Sequence, residues 1–333
     1  MTAGRIEPVD HGGDLDAPRR RYPGAPLPWI DLSTGINPQP YPFIMPRMEA
    51  WTQLPQRSAE LALRQAAADR YGAASADQVV CAPGSQALIQ VLPRLIDPAD
   101  VVIIAPTYAE HAIAWARCDH RVSERPTIGD IGGARVLVVV NPNNPTGAVI
   151  APDKLRELAS ELEGRRGLLV VDEAFADFAP ETSLVSRLPE RCIVLRSLGK
   201  AYGLGGVRVG FAVARAPLAE KLRAEIGPWA VSGPALEIGR AALADADWLS
   251  AAQARLHEDC RRLDALLNAA GATLIGGTHL FRLVQHDTAA AIADRLGRNG
   301  ILVRRFAAQP TWLRFGLPGT AAAWQRFADA LKD

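Results

Sequence analysis

Short aliphatic runs alternate with amphipathic stretches over the first two thirds of the chain. The runs are VVCA (79–82), VVIIAP (101–106), RVLVVVNP (135–142), GLLVVDEAF (167–175), CIVLRSL (192–198) and RVGFAVA (208–214). Helical periodicity occupies 85–96, 108–117 and 152–163 between them. Continuous aliphatic strands separated by helices are typical of a mostly parallel sheet buried on both faces, so the pattern predicts an α/β fold with a sheet sandwiched by helices.

The pattern changes on both sides of this alternating region. Residues 1–46 are rich in proline and glycine, and they predict an extended arm that packs with a small domain and with the functional site. After about residue 220 the chain is mostly helical, with strand-like pieces near 272–277, 280–284, 301–306 and 311–316. We therefore predict the arm over 1–46, a large domain over 47–220 and a small α+β domain over 221–333.

Composition indicates a globular protein and argues against several kinds of partner. The 333 residues are 48% hydrophobic and carry a net charge of +1, which disfavours nucleic acid or an anionic membrane as the main partner. The opening residues MTAGRIEPVDHGGD lack the apolar core of a signal peptide, and the aliphatic runs are far too short to cross a bilayer. We therefore expect a cytoplasmic protein that acts on a small molecule.

Four cysteines lie far apart and form no CxxC motif: Cys81, Cys118, Cys192 and Cys260. Free thiols in a reducing compartment are therefore a better interpretation than a disulfide framework or a zinc site. Cys118 and His120 lie near His111, but their spacing fits no common pattern of metal ligands. The sequence therefore predicts no metal site.

Polar residues follow the aliphatic runs at the points where strands would end. They are Pro83 to Gln86, Thr107 and Tyr108, Asn141 to Gly147, Asp172 and Glu173, and Ser197 to Lys200. Ligands of open α/β sheets bind beyond the carboxyl ends of the strands. We therefore expect these groups to lie along one rim of the sheet.

Lys200 is the most unusual residue on this rim. The chain has only four lysines, and Lys200 alone lies between a strand-like run and a glycine-rich loop. A partly desolvated amine there can attack an aldehyde. Asp172, at the end of LLVVD, has two interpretations. It is a structural residue in an ion pair or helix cap, or it is the anion beside a cationic ring nitrogen. Lys200 and Asp172 together indicate pyridoxal phosphate, which needs a Schiff-base lysine and an acid beside its ring nitrogen.

The phosphate of such a cofactor needs a cradle of its own. Gly84, Ser85 and Gln86 follow a strand and open a helix, where backbone N–H groups and a hydroxyl bind a phosphate dianion. Ser197 and Arg208 flank Lys200 and complete the predicted cradle, because the arginine fork pairs two phosphate oxygens. Two further residues are predicted at the ring: Tyr108 lies flat on it, and Asn144 donates to its oxygen.

The segment GLGGVRVG (203–210) resembles a dinucleotide-binding fingerprint but fails its requirements. Arg208 occupies the position of the third glycine. The segment also leads into the strand-like run RVGFAVA rather than into a helix, so the strand–turn–helix context is missing. An NAD site is therefore rejected.

Three motifs carry a resemblance to a known family. NPNNPTG (141–147), VDEAF (171–175) and SLGKAYGLGGVRVG (197–210) resemble the aspartate-aminotransferase superfamily, fold type I of the pyridoxal-phosphate enzymes. The resemblance implies that Lys200 binds the cofactor and moves protons, and that Asp172 pairs with the ring nitrogen. It implies the cofactor contacts named above for the remaining residues: Gly84, Ser85, Gln86, Tyr108, Asn144, Ser197 and Arg208. It also implies a homodimer in which both subunits line each site.

The wider pattern resembles the branch of this superfamily that decarboxylates L-threonine O-3-phosphate in cobalamin biosynthesis. The features are HGG (11–13), DLSTGINP (31–38), PGSQALIQ (83–90), PTYAEH (106–111), VDEAFADF (171–178), VLRSLGK (194–200) and GPWAVSG (227–233). The resemblance implies that Arg314 receives the substrate carboxylate. By a looser match, it also implies that His11, Asn37 and Arg304 contact the substrate phosphate and close the pocket.

The sequence departs from the family pattern at two positions. Many relatives have a tyrosine where this chain has Phe175, so Asn144 would act on the ring oxygen without that hydroxyl. Relatives also often have Tyr-Pro where this chain has Leu54-Pro55, and that tyrosine reaches the cofactor phosphate of the partner subunit. The second departure puts this cross-subunit contact in doubt, although dimerisation itself is still expected.

Two alternatives stay open at the level of sequence. Histidinol-phosphate aminotransferases share the cofactor site and act on another phosphorylated amine, and site chemistry alone does not separate the two reactions. The other alternative is a binding protein on the same fold. Retention of Lys200, Asp172 and Arg208 together argues against it, since a pure binder does not need a lysine that moves protons.

Overall fold

The computed structural model describes residues 11–129 and 131–332, which divide into two compact units. The larger unit contains residues 40–144 and 148–250, and the smaller unit contains the described residues up to 39, residues 145–147 and those from 251 onward. The domain bounds predicted from the sequence stay a prediction. No helix in the described ranges is long and apolar enough to cross a membrane, and a cytoplasmic location likewise stays a prediction.

Both units contain β-strands, numbered here in chain order. In the described residues these are β1 (Ile30–Leu32), β2 (Val79–Ala82), β3 (Asp100–Ile104), β4 (Arg121–Arg125), β5 (Val136–Val140), β6 (Leu168–Asp172), β7 (Cys192–Ser197), β8 (Gly210–Ala214), β9 (Thr273–Thr278), β10 (Phe281–Gln285), β11 (Ile301–Arg305) and β12 (Trp312–Phe315). The six aliphatic runs of the alternating region form β2, β3, β5, β6, β7 and β8.

The α-helices are numbered in the same way. They are α1 (Asp16–Arg21), α2 (Met48–Thr52), α3 (Arg57–Tyr71), α4 (Ser85–Val91), α5 (Glu110–Arg117), α6 (Pro152–Glu163), α7 (Leu198–Ala201), α8 (Ala216–Ile226), α9 (Gly233–Ala244), α10 (Ala246–Ala269), α11 (Ala289–Arg298) and α12 (Ala321–Lys332). Helix α6 illustrates how sequence specifies them. Proline lies in its first turn, and its buried side chains, Leu155, Leu158, Ala159 and Leu162, recur at helical spacing.

The larger unit is built on a seven-stranded sheet with the order β2-β8-β7-β6-β5-β3-β4. All neighbouring strands are parallel except for β8, which runs antiparallel to both β2 and β7. One face packs against α4, α5 and α8, and α3 and α6 pack against the other face. The predicted α/β fold, with a mostly parallel sheet between helices, is confirmed.

The position of β8 decides how the cofactor-binding motifs meet. Because β8 is antiparallel, its first residue lies beside the last residues of its neighbours: Gly210 pairs with Ala82 of β2 and with Ser197 of β7. A Cβ atom on Gly210 would lie 2.2 Å from the backbone nitrogen of Ser85, so only glycine fits this approach. The end of β2, the start of β8 and the end of β7 therefore form one continuous edge.

The smaller unit contains a five-stranded sheet with the order β1-β11-β12-β10-β9. Strand β1 pairs parallel to β11, and the other pairs are antiparallel. Helix α11 packs on this sheet through an apolar stripe that includes Ile292 and Leu296. The four strand-like pieces predicted after residue 220 form β9 to β12.

Several elements were not anticipated from the sequence, among them β4, α1 and β1. Strand β4 (RVSER) is polar and largely exposed because it lies at a sheet edge, where charged residues prevent pairing with other chains. Residues 1–46, predicted as an extended arm, include α1 and β1 within their described part. Helix α1 has an aspartate in its first turn and arginines in its last turn, which complement the helix dipole.

Candidate active site

Asp172 ends β6 as a buried carboxylate with two partners. Side chains alternate along a strand, so Asp172 points to the same face as Leu168 and Val170, where α5 covers the sheet. His111 of α5 lies there, completely buried, with its Nε2 atom 3.0 Å from Asp172 Oδ2. Asp172 Oδ1 accepts a hydrogen bond from the backbone nitrogen of Ala174 at 3.0 Å.

The partner of Asp172 is a residue that sequence reasoning missed. From the sequence, His111 stands out only as a possible metal ligand near Cys118 and His120. The nitrogens of His120 instead contact backbone groups, with Nδ1 accepting from Ala99 and Nε2 lying 3.0 Å from the Pro93 oxygen. A usable signal was present in PTYAEH, since a histidine one turn after Tyr108 on the helix that follows β3 lies over the neighbouring strand ends.

Lys200 lies in the short helix α7, directly after β7. Its Nζ atom lies 5.5 Å from the centre of the Phe175 ring, and Phe175 is itself buried. Asp172 pairs with Leu195 in the parallel register of β6 and β7, so the segments carrying Asp172 and Lys200 leave neighbouring strands at the same edge of the sheet. The predicted rim location of these two residues agrees with this register.

Gly84, Ser85, Ser197 and Arg208 meet along the edge formed by β2, β8 and β7. Gly84 has a φ of 86°, and a Cβ atom there would lie 2.5 Å from Arg208 Nη2. Arg208 itself adopts the left-handed conformation, with a φ of 58°, which is uncommon for a residue with a side chain. The chain therefore accepts an unfavourable backbone conformation to bring a guanidinium group against the amino-terminal end of α4.

Gln86 uses its side chain differently from the other residues of the predicted cradle. Its Oε1 atom accepts from the hydroxyl of Tyr108 at 3.0 Å, and its Nε2 atom donates to Glu110 at 2.7 Å. Tyr108 is thereby held at its hydroxyl end, and its ring lies edge-on to His111 with the centroids 6.2 Å apart. A contact of Gln86 with the cofactor phosphate stays a prediction.

Asn144 lies in the NPNNPTG loop, whose other asparagines hold the backbone in place. Asn141 donates to the Ile150 oxygen at 3.1 Å and accepts from the Ile150 nitrogen at 2.8 Å. Asn143 donates to the Pro106 oxygen and accepts from Thr107 at 2.7 Å. The bonds of Asn143 join the loop after β5 to the loop after β3, and those of Asn141 close the loop after β5 on itself. The backbone on which Asn144 lies is therefore held by its neighbours in sequence.

Arg314 and Arg304 face each other in the smaller unit. They are directly opposite in the antiparallel pairing of β12 with β11, and Arg314 is buried. Nη2 of Arg314 donates to the Ser33 oxygen at 2.7 Å. Burial and the charge of Arg304 lower the pKa of Arg314 to about 10, and Asp31 opposes this shift.

At neutral pH the Arg314 guanidinium is still charged, so the folded state carries a charge that burial disfavours. This penalty is fully present below the folded pKa of about 10 and is relieved as the pH rises from that value towards the ordinary pKa of arginine, 12.5. Like charges placed directly opposite one another also destabilise a sheet. An anion bound between the two arginines would offset both effects.

The HGG motif lies in the same unit as the two arginines. The Gly13 nitrogen donates to Ser33 Oγ at 2.8 Å, and a Cβ atom on Gly12 would lie 2.5 Å from the Ser33 oxygen. His11 and Arg304 line one cavity of about 230 Å³. Asn37 is buried, and its Oδ1 atom accepts from the Gln39 nitrogen and from Arg255. Substrate contacts for His11, Asn37 and Arg304 stay predictions.

No group of three histidine, cysteine or acidic side chains suited to a metal ion occurs among residues 11–129 and 131–332. Cys81, Cys118, Cys192 and Cys260 are all free thiols. The expected absence of a metal stays a prediction.

Comparison with known proteins identifies relatives along almost the whole chain. The profile of the aminotransferase class I and II family matches residues 29–331. A threonine-phosphate decarboxylase of Sinorhizobium sp. is 44% identical over 97% of this chain and 98% of its own length. A threonine-phosphate decarboxylase of Pseudomonas aeruginosa is 43% identical over 97% of each chain. Histidinol-phosphate aminotransferase 1 of Psychrobacter arcticus is 30% identical over 81% of this chain and 77% of its own length.

Solved structures share the fold at lower identity. Histidinol-phosphate aminotransferase from Sinorhizobium meliloti, in complex with pyridoxal-5'-phosphate, has a TM-score of 0.79 and 23% identity over 99% of this chain and 97% of that chain. L-threonine-O-3-phosphate decarboxylase from Porphyromonas gingivalis has a TM-score of 0.74 and 21% identity over 90% of this chain and 98% of that chain. One fold therefore carries both named activities.

The contact between His111 and Asp172 can be measured by a double-mutant cycle. We expect His111→Phe to lower the free energy of unfolding, because it leaves a buried carboxylate oxygen without its partner. We expect this loss to be smaller when Asp172→Asn is already present, with a coupling energy of about 1–3 kcal/mol. Chemical denaturation of the wild type, both single variants and the double variant measures the coupling, and additive losses would contradict the contact.

Proposed function

We propose a specific reaction for this chain, which belongs to the aminotransferase class I and II family: it decarboxylates L-threonine O-3-phosphate with pyridoxal phosphate as cofactor. The product is (R)-1-amino-2-propanol O-2-phosphate, which serves cobalamin biosynthesis. The observation that carries the proposal is 43–44% identity to two threonine-phosphate decarboxylases across 97% of the chain. The identity to a histidinol-phosphate aminotransferase is 30% over 81% of the chain, so transamination is the weaker candidate.

The edge formed by β2, β8 and β7 fits the cofactor phosphate. The space beside Gly84 that a Cβ atom would occupy lies 2.5 Å from Arg208 Nη2, and Ser85 begins α4 at the same point. A guanidinium fork, backbone N–H groups and two hydroxyls together suit a dianionic phosphate. We propose that Gly84, Ser85, Gln86, Ser197 and Arg208 hold it.

The residues at the ends of β6 and β7 fit the cofactor ring. When bound, pyridoxal phosphate supplies an aldehyde that condenses with an amine and a protonated ring that accepts electrons from a bond broken at Cα. We propose that Asp172 holds the proton on the ring nitrogen, with Tyr108 against the ring and Asn144 donating to its oxygen. His111 supports this role of Asp172, because it fixes one carboxylate oxygen and separates the pair from water.

Lys200 is proposed to hold the cofactor and then to move the proton. In the proposed reaction the Cα–carboxylate bond breaks, CO2 leaves, and one proton returns to Cα. The Lys200 amine is the proposed donor of that proton. The neighbouring Phe175 ring gives the amine an apolar neighbour with a negative face, which is compatible with both the charged and the neutral form.

Substrate anchoring decides which bond breaks. The bond held perpendicular to the cofactor ring is the one that is broken, so a decarboxylase must orient the substrate carboxylate rather than the Cα hydrogen. We propose that Arg314 binds this carboxylate, and that Arg304, His11 and Asn37 bind or enclose the substrate phosphate. The mutual repulsion of two facing arginines supports a substrate with two anionic groups.

We also propose that the chain forms a homodimer through residues 43–61. This segment exposes a run of apolar side chains: Phe43, Ile44, Met45, Met48, Trp51, Leu54 and Leu61. Ile44 is 93% exposed and Leu54 is 63% exposed, which is unusual for contiguous apolar residues on a monomer. A second copy of the chain is the proposed partner, as the family resemblance implies.

Incubation with L-threonine O-3-phosphate tests the reaction. We expect the purified protein with pyridoxal phosphate to release one CO2 for each substrate consumed, without requiring a 2-oxo acid. Lys200→Ala should lower the rate at least about 10²-fold, because the proton donor is lost. Lys221→Ala, on the exposed side of α8, is the matched control and should leave the rate unchanged. Dependence on 2-oxoglutarate, with no CO2 released, would favour transamination.

Steady-state kinetics test the two arginines. Arg314→Gln should raise KM for L-threonine O-3-phosphate about 10- to 100-fold, because a charge-assisted contact is worth about 1.5–3 kcal/mol. Arg304→Gln should also raise KM, yet it should raise the Tm of the substrate-free protein, because it removes one of two facing cations. Arg298→Gln is the control, since Arg298 pairs with Asp294 on the exposed side of α11. Unchanged KM and kcat in Arg314→Gln would reject the carboxylate assignment.

Sedimentation velocity tests the dimer. We expect the wild type to sediment as a dimer and Ile44→Asp/Trp51→Ser to shift towards monomer, because both changes place polar groups in a buried apolar interface. Leu274→Ser changes an exposed apolar residue outside the segment and is the control. A monomeric wild type, or a dimer that the double variant leaves intact, would overturn the proposed interface.

A further inference from the structure

A buried charged cluster lies on the opposite face of the sheet from Asp172. Arg196 of β7 donates from Nη1 to Glu173 Oε2 at 2.9 Å and from Nη2 to Asp177 Oδ1 at 3.1 Å. All three side chains are buried, with at most 4% of their surface exposed. The Arg196 guanidinium also lies 4.3 Å from the centre of the Tyr71 ring. One guanidinium group therefore contacts two carboxylates and an aromatic face.

The three charged residues are neighbours in sequence of the proposed catalytic residues. Glu173 directly follows Asp172, and Arg196 directly precedes Ser197 and the helix that carries Lys200. Asp177 lies in the turn after Phe175, whose ring centre lies 5.5 Å from the Lys200 Nζ atom. The backbone supports the same junction, because the Glu173 nitrogen donates to the Leu195 oxygen at 2.9 Å.

General stability does not account well for this cluster. The cluster holds two carboxylates and one guanidinium, and burial raises the pKa of Glu173 against the opposing effect of Arg196. Buried triads of this kind are often replaced by neutral side chains with little loss of stability or with a gain. The cluster instead fixes relative positions. The Arg196 guanidinium is bound to Glu173 through one nitrogen and to Asp177 through the other, so the segments that carry these three residues can move little relative to one another.

We propose that Arg196 is a positioning residue. It uses Glu173 and Asp177 to hold the end of β6, the turn after Phe175 and the end of β7 in one fixed arrangement. This inference rests on the proposed function, because it assigns Arg196 the relative placement of Asp172, Phe175, Ser197 and Lys200. Alternation along the two strands explains how it does so without touching the ligand. Asp172 and Leu195 point to the face of the sheet covered by α4, α5 and α8, and Glu173 and Arg196 point to the opposite face, where Arg196 contacts Tyr71 of α3.

A neutral triad separates positioning from stability. In Glu173→Gln/Asp177→Asn/Arg196→Met no unpaired charge remains buried, and the glutamine oxygen can still accept from the Leu184 nitrogen, as Glu173 does at 2.9 Å. We expect a Tm close to that of the wild type. We expect the Kd for pyridoxal phosphate, measured by absorbance titration, to rise about tenfold or more, and kcat to fall by up to about 10²-fold with KM little changed.

Arg196→Lys provides a second test that does not depend on the triple variant folding. It keeps the charge and loses the second arm of the fork, so the same changes in Kd and kcat should appear at smaller size. Arg64→Met/Asp77→Asn is the control, because Arg64 also joins a carboxylate and two backbone oxygens, at the amino-terminal end of β2. The control should lower Tm and leave cofactor affinity unchanged.

The outcomes distinguish this inference from the proposed function. A wild type that binds no pyridoxal phosphate and releases no CO2 from L-threonine O-3-phosphate would overturn the proposed function, and with it this inference. If the wild type is active, and both the neutral triad and Arg196→Lys have the same Kd and kcat as the wild type, the positioning role alone would be overturned. A lower Tm with unchanged Kd and kcat would likewise show that the cluster only stabilises the fold.

Discussion

The parallel pairing of β6 with β7 is the constraint on which the site depends. It places Asp172 opposite Leu195, so a buried carboxylate and the segment leading to Lys200 leave the sheet side by side. The antiparallel insertion of β8 extends the same edge to Arg208 and to the start of α4. Residues far apart in sequence thereby come to one edge of the sheet.

Three of the buried charges have partners of different kinds. Asp172 has a histidine and a backbone nitrogen, Arg196 has two carboxylates and an aromatic face, and Arg314 has a backbone oxygen and a second arginine opposite it. The first two sets give each buried charge hydrogen-bonding partners in place of water. In the third set the two facing arginines repel each other and Asp31 opposes this repulsion, so an anionic ligand would stabilise the pair further.

The sequence predicted six strands of the larger sheet well, because they are unbroken aliphatic runs separated by helical stretches. It failed where the pattern was weak: β4 is polar because it is an edge strand, and β1 spans only Ile30–Leu32, too short for any periodicity. The polar motifs that follow the aliphatic runs predicted which residues lie at the ends of the strands. Periodicity did not predict the roles of His111 and Arg196. Each of these residues pairs with a charge on a different strand, helix or turn, and such contacts do not follow from spacing along the chain.

Chemical trapping tests the central claim most directly. Reduction of the protein with borohydride in the presence of pyridoxal phosphate, followed by peptide mass mapping, locates the lysine that carries the cofactor. The account predicts the added mass on the peptide containing Lys200, with Lys154, Lys221 and Lys332 unmodified. Modification of those lysines in place of Lys200, or no modification at all, would contradict it.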